Sequence, residues 1–181
     1  MRVITGKARG VKLLTLEGES VRPTSEKTKE AVFSAIQFEI EGRRVLDLFA
    51  GSGQLGIEAL SRGAERAVFI DQSAEALEVV KLNVKKAGFE KQAVISRMDY
   101  SQFLKGTKEI FDIAFIDPPY AAGFSLPALD GVSKIMSDYG IIVCEHPADV
   151  EMPESINGFK LSRQYKYGKL VTVTIFKKED N

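Results

Sequence analysis

Two short stretches of this 181-residue chain carry residues whose types and spacing could do chemistry. The first is Asp47-Leu48-Phe49-Ala50-Gly51-Ser52-Gly53-Gln54-Leu55-Gly56. Gly51 and Gly53 permit a tight turn and close approach of the backbone to a ligand, and Gly56 lets a following helix sit near a sheet. The three glycines fit the GxGxxG spacing of nucleotide-cofactor loops, and Asp71 follows twenty residues after Gly51, where an acid can accept from ribose hydroxyls. That spacing alone leaves a dinucleotide and other adenosine cofactors open. Asp47 argues against a pyrophosphate, which a carboxylate just before the loop would repel. It favours the ammonium and sulfonium of S-adenosylmethionine. Asp99, after a third predicted strand, is placed to accept from the adenine amino group.

The second stretch is Asp117-Pro118-Pro119-Tyr120. Two prolines fix φ and remove two backbone donors, while their carbonyls remain. The Asp117 carboxylate and the Pro118 carbonyl can then accept both hydrogens of a planar exocyclic amine on a base, and Tyr120 offers a face for stacking. Such an amine is a poor nucleophile, because its lone pair is delocalised into the ring. Two acceptors favour a more tetrahedral nitrogen, and holding nitrogen, methyl carbon and sulfur in line lowers the rest of the barrier. The residues leave open whether Asp117 takes the proton or water does.

The elements that must position these groups follow from the hydrophobic pattern. Val45 to Phe49 reads as a strand, Gln54 to Arg62 as a helix, and Ala67 to Ile70 as a strand. Ala74 to Ala87 reads as a helix stopped by Gly88, with Leu77, Val80 and Val84 on one side. Strands follow at Ala93 to Ser96, Phe111 to Ile116 and Gly140 to Cys144, with a helix over Leu126 to Met136. Phe159 to Tyr165 and Leu170 to Phe176 form a terminal hairpin. Strand–helix alternation closed by a hairpin implies an α/β fold, a mostly parallel sheet with an antiparallel C-terminal edge. Before it, Val3-Ile4 and Val11 to Leu14 suggest a small hairpin, and Ala31, Val32, Ala35, Ile36 and Ile40 a helix with Ser25 as its N-cap. The expected division is residues 1–44, a basic hairpin and helix, and residues 45–181, a cofactor-binding catalytic domain.

Composition sets the remaining bounds. The chain holds 25 bases and 25 acids, but residues 1–44 hold nine bases to six acids, 45–158 ten to seventeen, and 159–181 six to two. An acidic middle between basic ends leaves a polyanionic partner possible despite the neutral total. Cys144 is the only cysteine and His146 the only histidine, so no disulfide within the chain, no Cys-based zinc site and no two-histidine metal motif can form. No apolar run approaches the ~18 residues of a membrane span. The N-terminus lacks the apolar core of a signal peptide, so a cytoplasmic protein is expected.

Taken together, DLFAGSGQLGIEALSRGA, FIDQS and DPPY resemble a class I S-adenosylmethionine-dependent methyltransferase that acts on amines. ITGKARGVKL and VRPTSEKTKEAVFSAI narrow the resemblance to the RsmD family of 16S rRNA guanine-N2 methyltransferases, over nearly the whole chain. The resemblance implies a Rossmann-like, seven-stranded sheet, S-adenosylmethionine as cofactor, no metal, and a monomer acting on 16S rRNA or the small ribosomal subunit. The methylated atom would be N2 of one guanine, number 966 in the family's specificity. Cofactor positions match at Asp47, Phe49, Ala50, Gly51, Ser52, Gly53, Gly56, Asp71, Gln72, Ser73 and Asp99. The catalytic turn matches at Asp117, Pro118, Pro119 and Tyr120, and the substrate-side segment at Arg22, Pro23 and Thr24.

Lys7, Arg9 and Lys27 are further candidates for RNA contacts, and Glu145 for a polar contact to the guanine edge. Lys160, Arg163, Lys166 and Lys169, with Tyr165 and Tyr167, fit either RNA contact or an ordinary solvated sheet edge. His146 fits a structural role better than a catalytic one, and Cys144 reads as core. Two other readings compete. N6-adenine methylation would use the same turn, and a non-catalytic RNA-binding assembly factor would need neither the loop nor Asp117.

Overall fold

A computed structural model describes residues 1–16, 23–119 and 123–178. A single sheet of eight strands has the order β3-β2-β1-β4-β5-β8-β7-β6. The strands are β1 (Arg44–Asp47), β2 (Arg66–Asp71), β3 (Ala93–Arg97), β4 (Phe111–Ile116), β5 (Met136–Pro147), β6 (Ser155–Ile156), β7 (Phe159–Tyr167) and β8 (Val171–Lys178). β1 to β5 pair in parallel and β5, β8, β7 and β6 antiparallel. The sheet therefore has one strand more than expected, the two-residue β6, too short to leave a pattern in sequence.

Helices cover both faces, which is why the central strands read as unbroken apolar runs rather than alternating ones. α1 (Pro23–Ala35), α2 (Gln54–Ser61) and α3 (Ala74–Ala87) pack on one face around Phe33, Ile57, Val80, Phe69 and Phe115. α4 (Tyr100–Gly106) and α5 (Ser125–Ser133) pack on the other around Leu129, Val132, Phe111 and Ile142. α4 had no periodicity to announce it. Its seven residues are started by Asp99, whose side chain accepts from the N–H groups of Ser101 and Gln102. α1 begins at Pro23, where proline's missing N–H is harmless, so Ser25 lies inside the helix rather than capping it.

The N-terminal segment is a turn closed by one bridge, Arg2 to Lys12, rather than a hairpin of regular strands. Its Val3, Ala8 and Leu13 are buried in the same core as α1, α2 and α3. The segment lies against the C-terminal half of α2, at Glu58 and Ser61. The Lys7 N–H donates to the carbonyl of Ser61, the last residue of α2, at 2.8 Å. An added Cβ at Gly6 would lie 1.8 Å from that same carbonyl oxygen, so only glycine fits there. At the other end Leu14 meets Asn83 of α3.

β7 changes sides part-way. Leu161 pairs with Phe176 and Arg163 with Ile175, leaving Ser162 as an extra residue. Phe159 and Leu161 consequently face the α5 layer, while Tyr165 and Tyr167 face the α1 layer.

Candidate active site

Each parallel strand ends at the same sheet edge, and four of the predicted acids stand there. In sheet order they are Asp99 after β3, Asp71 on β2, Asp47 on β1 and Asp117 after β4, with Glu145 near the end of β5. A shared edge at strand carboxyl ends is where open α/β sheets bind ligands.

The glycine loop is built by the conformations its sequence anticipates. Gly51 has φ 54° and Gly53 φ 80°, both in the left-handed region. A Cβ on Gly56 would lie 2.3 Å from the Phe69 ring, so the absence of a side chain lets α2 close on β2. Gly53 caps α2 without a side chain to offer, and Asp47 supplies the missing acceptor: the Gly56 N–H donates to Asp47 Oδ2 at 3.0 Å. Asp47 is only 2% exposed. Asp71 Oδ2 accepts from the Gly51 N–H at 3.0 Å and Oδ1 from the Ser73 N–H at 2.8 Å, so it ties the loop to the head of α3. Ser73 itself caps α3, and Gln72, its neighbour, is exposed. Within the loop, Ala50 and Ser52 are buried.

Asp99 accepts all three of its hydrogen bonds, from the Ser101 hydroxyl and the Ser101 and Gln102 N–H groups, on Oδ1. The Ser101 hydroxyl, first, and these amides hold its carboxyl below the usual carboxylate range. It stays ionised, and its second oxygen accepts no hydrogen bond from a described residue. Beside it, Phe49, Tyr100 and Phe124 form an aromatic triangle with centroid separations of 5.1, 5.1 and 6.3 Å. This cluster joins the glycine loop, the Asp99 corner and the chain leaving the proline turn. Gln54, the first residue of α2, carries a buried Oε1 with no hydrogen-bond partner among the described residues. An orphan acceptor beside a glycine loop fits a donor-bearing ligand, as do the unused oxygen of Asp99 and the acids around it. These observations match S-adenosylmethionine, whose polar groups near the reacting centre are cationic or hydrogen-bond donors.

The proline turn sits in the middle of the edge. Asp117 is half-buried, Pro118 buried and Pro119 exposed. The register of Ile116 with Cys144 places Glu145 next to the turn. Glu145 is half-buried and near Tyr167, whose hydroxyl lies beside Thr28 of α1. Pro23 and Thr24 open α1, while Arg22 and Tyr120 lie outside the described residues. Lys7, Arg9 and Lys27 are exposed.

His146 is 1% exposed and held at both ring nitrogens, Nδ1 2.9 Å from the Pro147 carbonyl and Nε2 2.8 Å from Thr174 Oγ1. Burial keeps its pKa low. It is spent inside the sheet. Burial likewise pushes the Cys144 thiol well above its ordinary range, an inert core position. Among the described residues no group of His, Cys, Asp and Glu is arranged to hold a metal ion, and no helix is long and apolar enough to cross a membrane.

The family described as "Conserved hypothetical protein 95" matches residues 1–177. The chain belongs to this family, the RsmD methyltransferases. It is 40% identical over 183 residues to the Bacillus subtilis protein named "Putative rRNA methyltransferase YlbH", covering 98% of this chain and 99% of that one. It is 35% identical over 149 residues to "Ribosomal RNA small subunit methyltransferase D" of Escherichia coli, covering 80% and 71%. A solved Escherichia coli structure, "Putative methyltransferase yhhF", superposes with a TM-score of 0.87 at 26% identity over 98% of both chains. As an RsmD-family member the chain is an S-adenosylmethionine-dependent methyltransferase of Rossmann-like fold.

Sequence reasoning passed over Gln54, Tyr100, Phe124 and Asn83. Asn83 is fully buried on α3. Its amide donates to the carbonyls of Leu14 and Ser52, both at 2.9 Å, and accepts from the Leu14 N–H at 2.7 Å. One side chain thus fixes both the glycine loop and the N-terminal segment. Nothing local distinguishes it from the exposed polar positions of an amphipathic helix.

Proposed function

We propose that this chain transfers a methyl group to N2 of one guanine in 16S rRNA, guanine 966 by the family's specificity. The observation that carries the reading is the place of Asp117-Pro118-Pro119 on the sheet edge, directly between the acid-lined loop of Asp47 and the half-buried Glu145. The names of its relatives support rRNA as the substrate.

In this reading Asp71 accepts from the ribose hydroxyls and Asp99 from the adenine amine. Asp47 and the loop residues Phe49 to Gly53, with Gly56, hold the methionine end, and Gln72 and Ser73 border the ribose. The bound cofactor supplies an electrophilic methyl on a sulfonium. Asp117 and the Pro118 carbonyl accept the two hydrogens of the guanine amine and turn its lone pair toward the methyl. Pro119 keeps the turn rigid, and Tyr120 stacks on the base. The surplus proton leaves the nitrogen through Asp117 or directly to water. Glu145 accepts from the guanine edge, while Arg22, Pro23, Thr24, Lys27, Lys7 and Arg9 lie along the RNA. The enzyme acts as a cytoplasmic monomer.

The test is incubation with labelled S-adenosylmethionine and unmodified small ribosomal subunits, followed by nucleoside mass spectrometry. N2-methylguanosine in 16S rRNA is expected, with a loss of roughly 10²–10³-fold in Asp117→Ala, comparable to removing an aligned transition-state hydrogen bond. Label appearing as N6-methyladenosine, or an Asp117→Ala variant with full activity, would overturn the assignment.

A further inference from the structure

The basic C-terminal segment does not form one patch. Lys177 is tied to Glu39 at 2.7 Å, and Lys178 lies 4.6 Å from the Phe159 ring centroid and donates to the Asn157 carbonyl. Lys160 pairs with Lys177 at the end of β7 away from the catalytic turn. Arg163 engages Tyr165. Lys166 and Lys169 differ: both are exposed, and neither makes an ion pair or hydrogen bond with a described residue.

Their position is set by the ladder. Val171 pairs with Pro147, and the Ala148 N–H donates to the Leu170 carbonyl at 3.0 Å. The β7–β8 turn therefore stands at the carboxyl edge, beyond Glu145. Lys166 pairs with Thr172, whose side shares the face of His146 and α5. Lys166 thus stands on the α5 side of the sheet at its carboxyl edge. Three strand spacings separate β4 from β7, about 14 Å. Leu170, in the same turn, is 77% exposed.

A polynucleotide whose base enters between Asp117 and Glu145 must carry its backbone over one flank of the edge. The β1–β2–β3 flank is lined by Asp47, Asp71 and Asp99 and is taken by the cofactor. The other flank ends in two exposed cations, Lys166 and Lys169, without a partner among the described residues. Resting on the rRNA reading above, we propose that Lys166 and Lys169 hold phosphates of the RNA strand beside the target guanine. The β7–β8 turn is then a second RNA contact, separate from the N-terminal segment.

The experiment compares wild type with Lys166→Gln/Lys169→Gln and, as a control on the far side of α3, Lys85→Gln/Lys86→Gln. Binding to deproteinised 16S rRNA is followed from 50 to 200 mM KCl, together with steady-state methylation of unmodified subunits and S-adenosylhomocysteine titration. The expected result is a log–log salt slope shallower by about 1.4, since each single-strand phosphate contact contributes ~0.7. KM for subunits should rise roughly tenfold with kcat and S-adenosylhomocysteine affinity unchanged, and the control should match wild type. A wild-type slope in Lys166→Gln/Lys169→Gln overturns the proposal. So does a raised KM for subunits with an unchanged slope on bare rRNA, which would assign the turn to a ribosomal protein. Failure of the rRNA reading is distinguishable, because wild type itself would then leave rRNA unlabelled.

Discussion

The two basic ends of the chain are anchored by opposite means. The N-terminal segment has almost no ladder to join, so side chains from α1, α2 and α3 must answer its backbone. Glu58 is fully buried and accepts from the N–H groups of Ile4 and Thr5 at 2.9 and 3.0 Å. It also takes Lys29 at 3.2 Å and Arg62 at 2.9 Å. Ser61 accepts from the Ala8 N–H and donates to the Thr5 carbonyl. Asn83 closes the far end. The C-terminal hairpin satisfies its backbone within the sheet, so the cations of its turn are left to solvent. A segment held by buried polar side chains is sensitive to single changes, whereas one held by main-chain pairing can vary its side chains at little cost.

The strongest way to break this contrast is Glu58→Ala. It strands Lys29, two backbone donors and part of Arg62, and should cost ~3–5 kcal/mol, as buried pairs do when one partner is removed. Urea unfolding measures it, and a cost below about 1 kcal/mol would show that the segment does not need this carboxylate. Asn83→Leu comes next. Leaving the Leu14 and Ser52 carbonyls without a donor should cost about 1–3 kcal/mol. Because Ser52 belongs to the glycine loop, S-adenosylhomocysteine affinity should also fall. Calorimetry that finds wild-type affinity would separate the loop from the N-terminal segment.

A smaller effect tests the buried lysine. Burial lowers the Lys29 pKa despite the opposing pull of Glu58. The folded state therefore releases this proton at a lower pH than the unfolded state, whose value is near 10.5. Stability attributable to Lys29 should then rise with pH across that interval. Wild type should gain on Lys29→Met in thermal unfolding as the pH is raised toward 10.5. A surface ion pair would give the opposite trend. The least perturbing change is Lys7→Gln/Arg9→Gln. These side chains sit at the far end of α2, about 12 Å from the glycine loop by its eight residues. RNA affinity and its salt slope should drop less than for the β7–β8 turn, with cofactor affinity and melting temperature unchanged.

How much of this was legible in sequence depended on whether a residue's task is local. Gly51, Gly53 and Gly56 announce themselves because positive φ and close packing exclude side chains. The Asp117-Pro118-Pro119 turn does so because two prolines restrict the backbone wherever they occur. α3 was readable to its last residue from periodicity and Gly88. α4 was not, since seven residues hold too few turns for a period. Glu58 and Asn83 look like ordinary polar positions of α2 and α3, and they become buried only because residues 1–16 lie across those helices. The free and engaged lysines of the C-terminus look alike in sequence. Only the sheet register sorts them.

That register hangs on Ser162. The bulge turns β7 over, so that Tyr165 and Tyr167 meet the α1 layer and Lys166 stands on the α5 side. Removing one residue there would exchange the two sets, driving a lysine toward α1 and two tyrosines out to the α5 side. Substitutions at this exposed position should pass unnoticed while a deletion should not. For the packing of both faces, the length of β7 between Leu161 and Arg163 matters more than the identity of the residue that fills it.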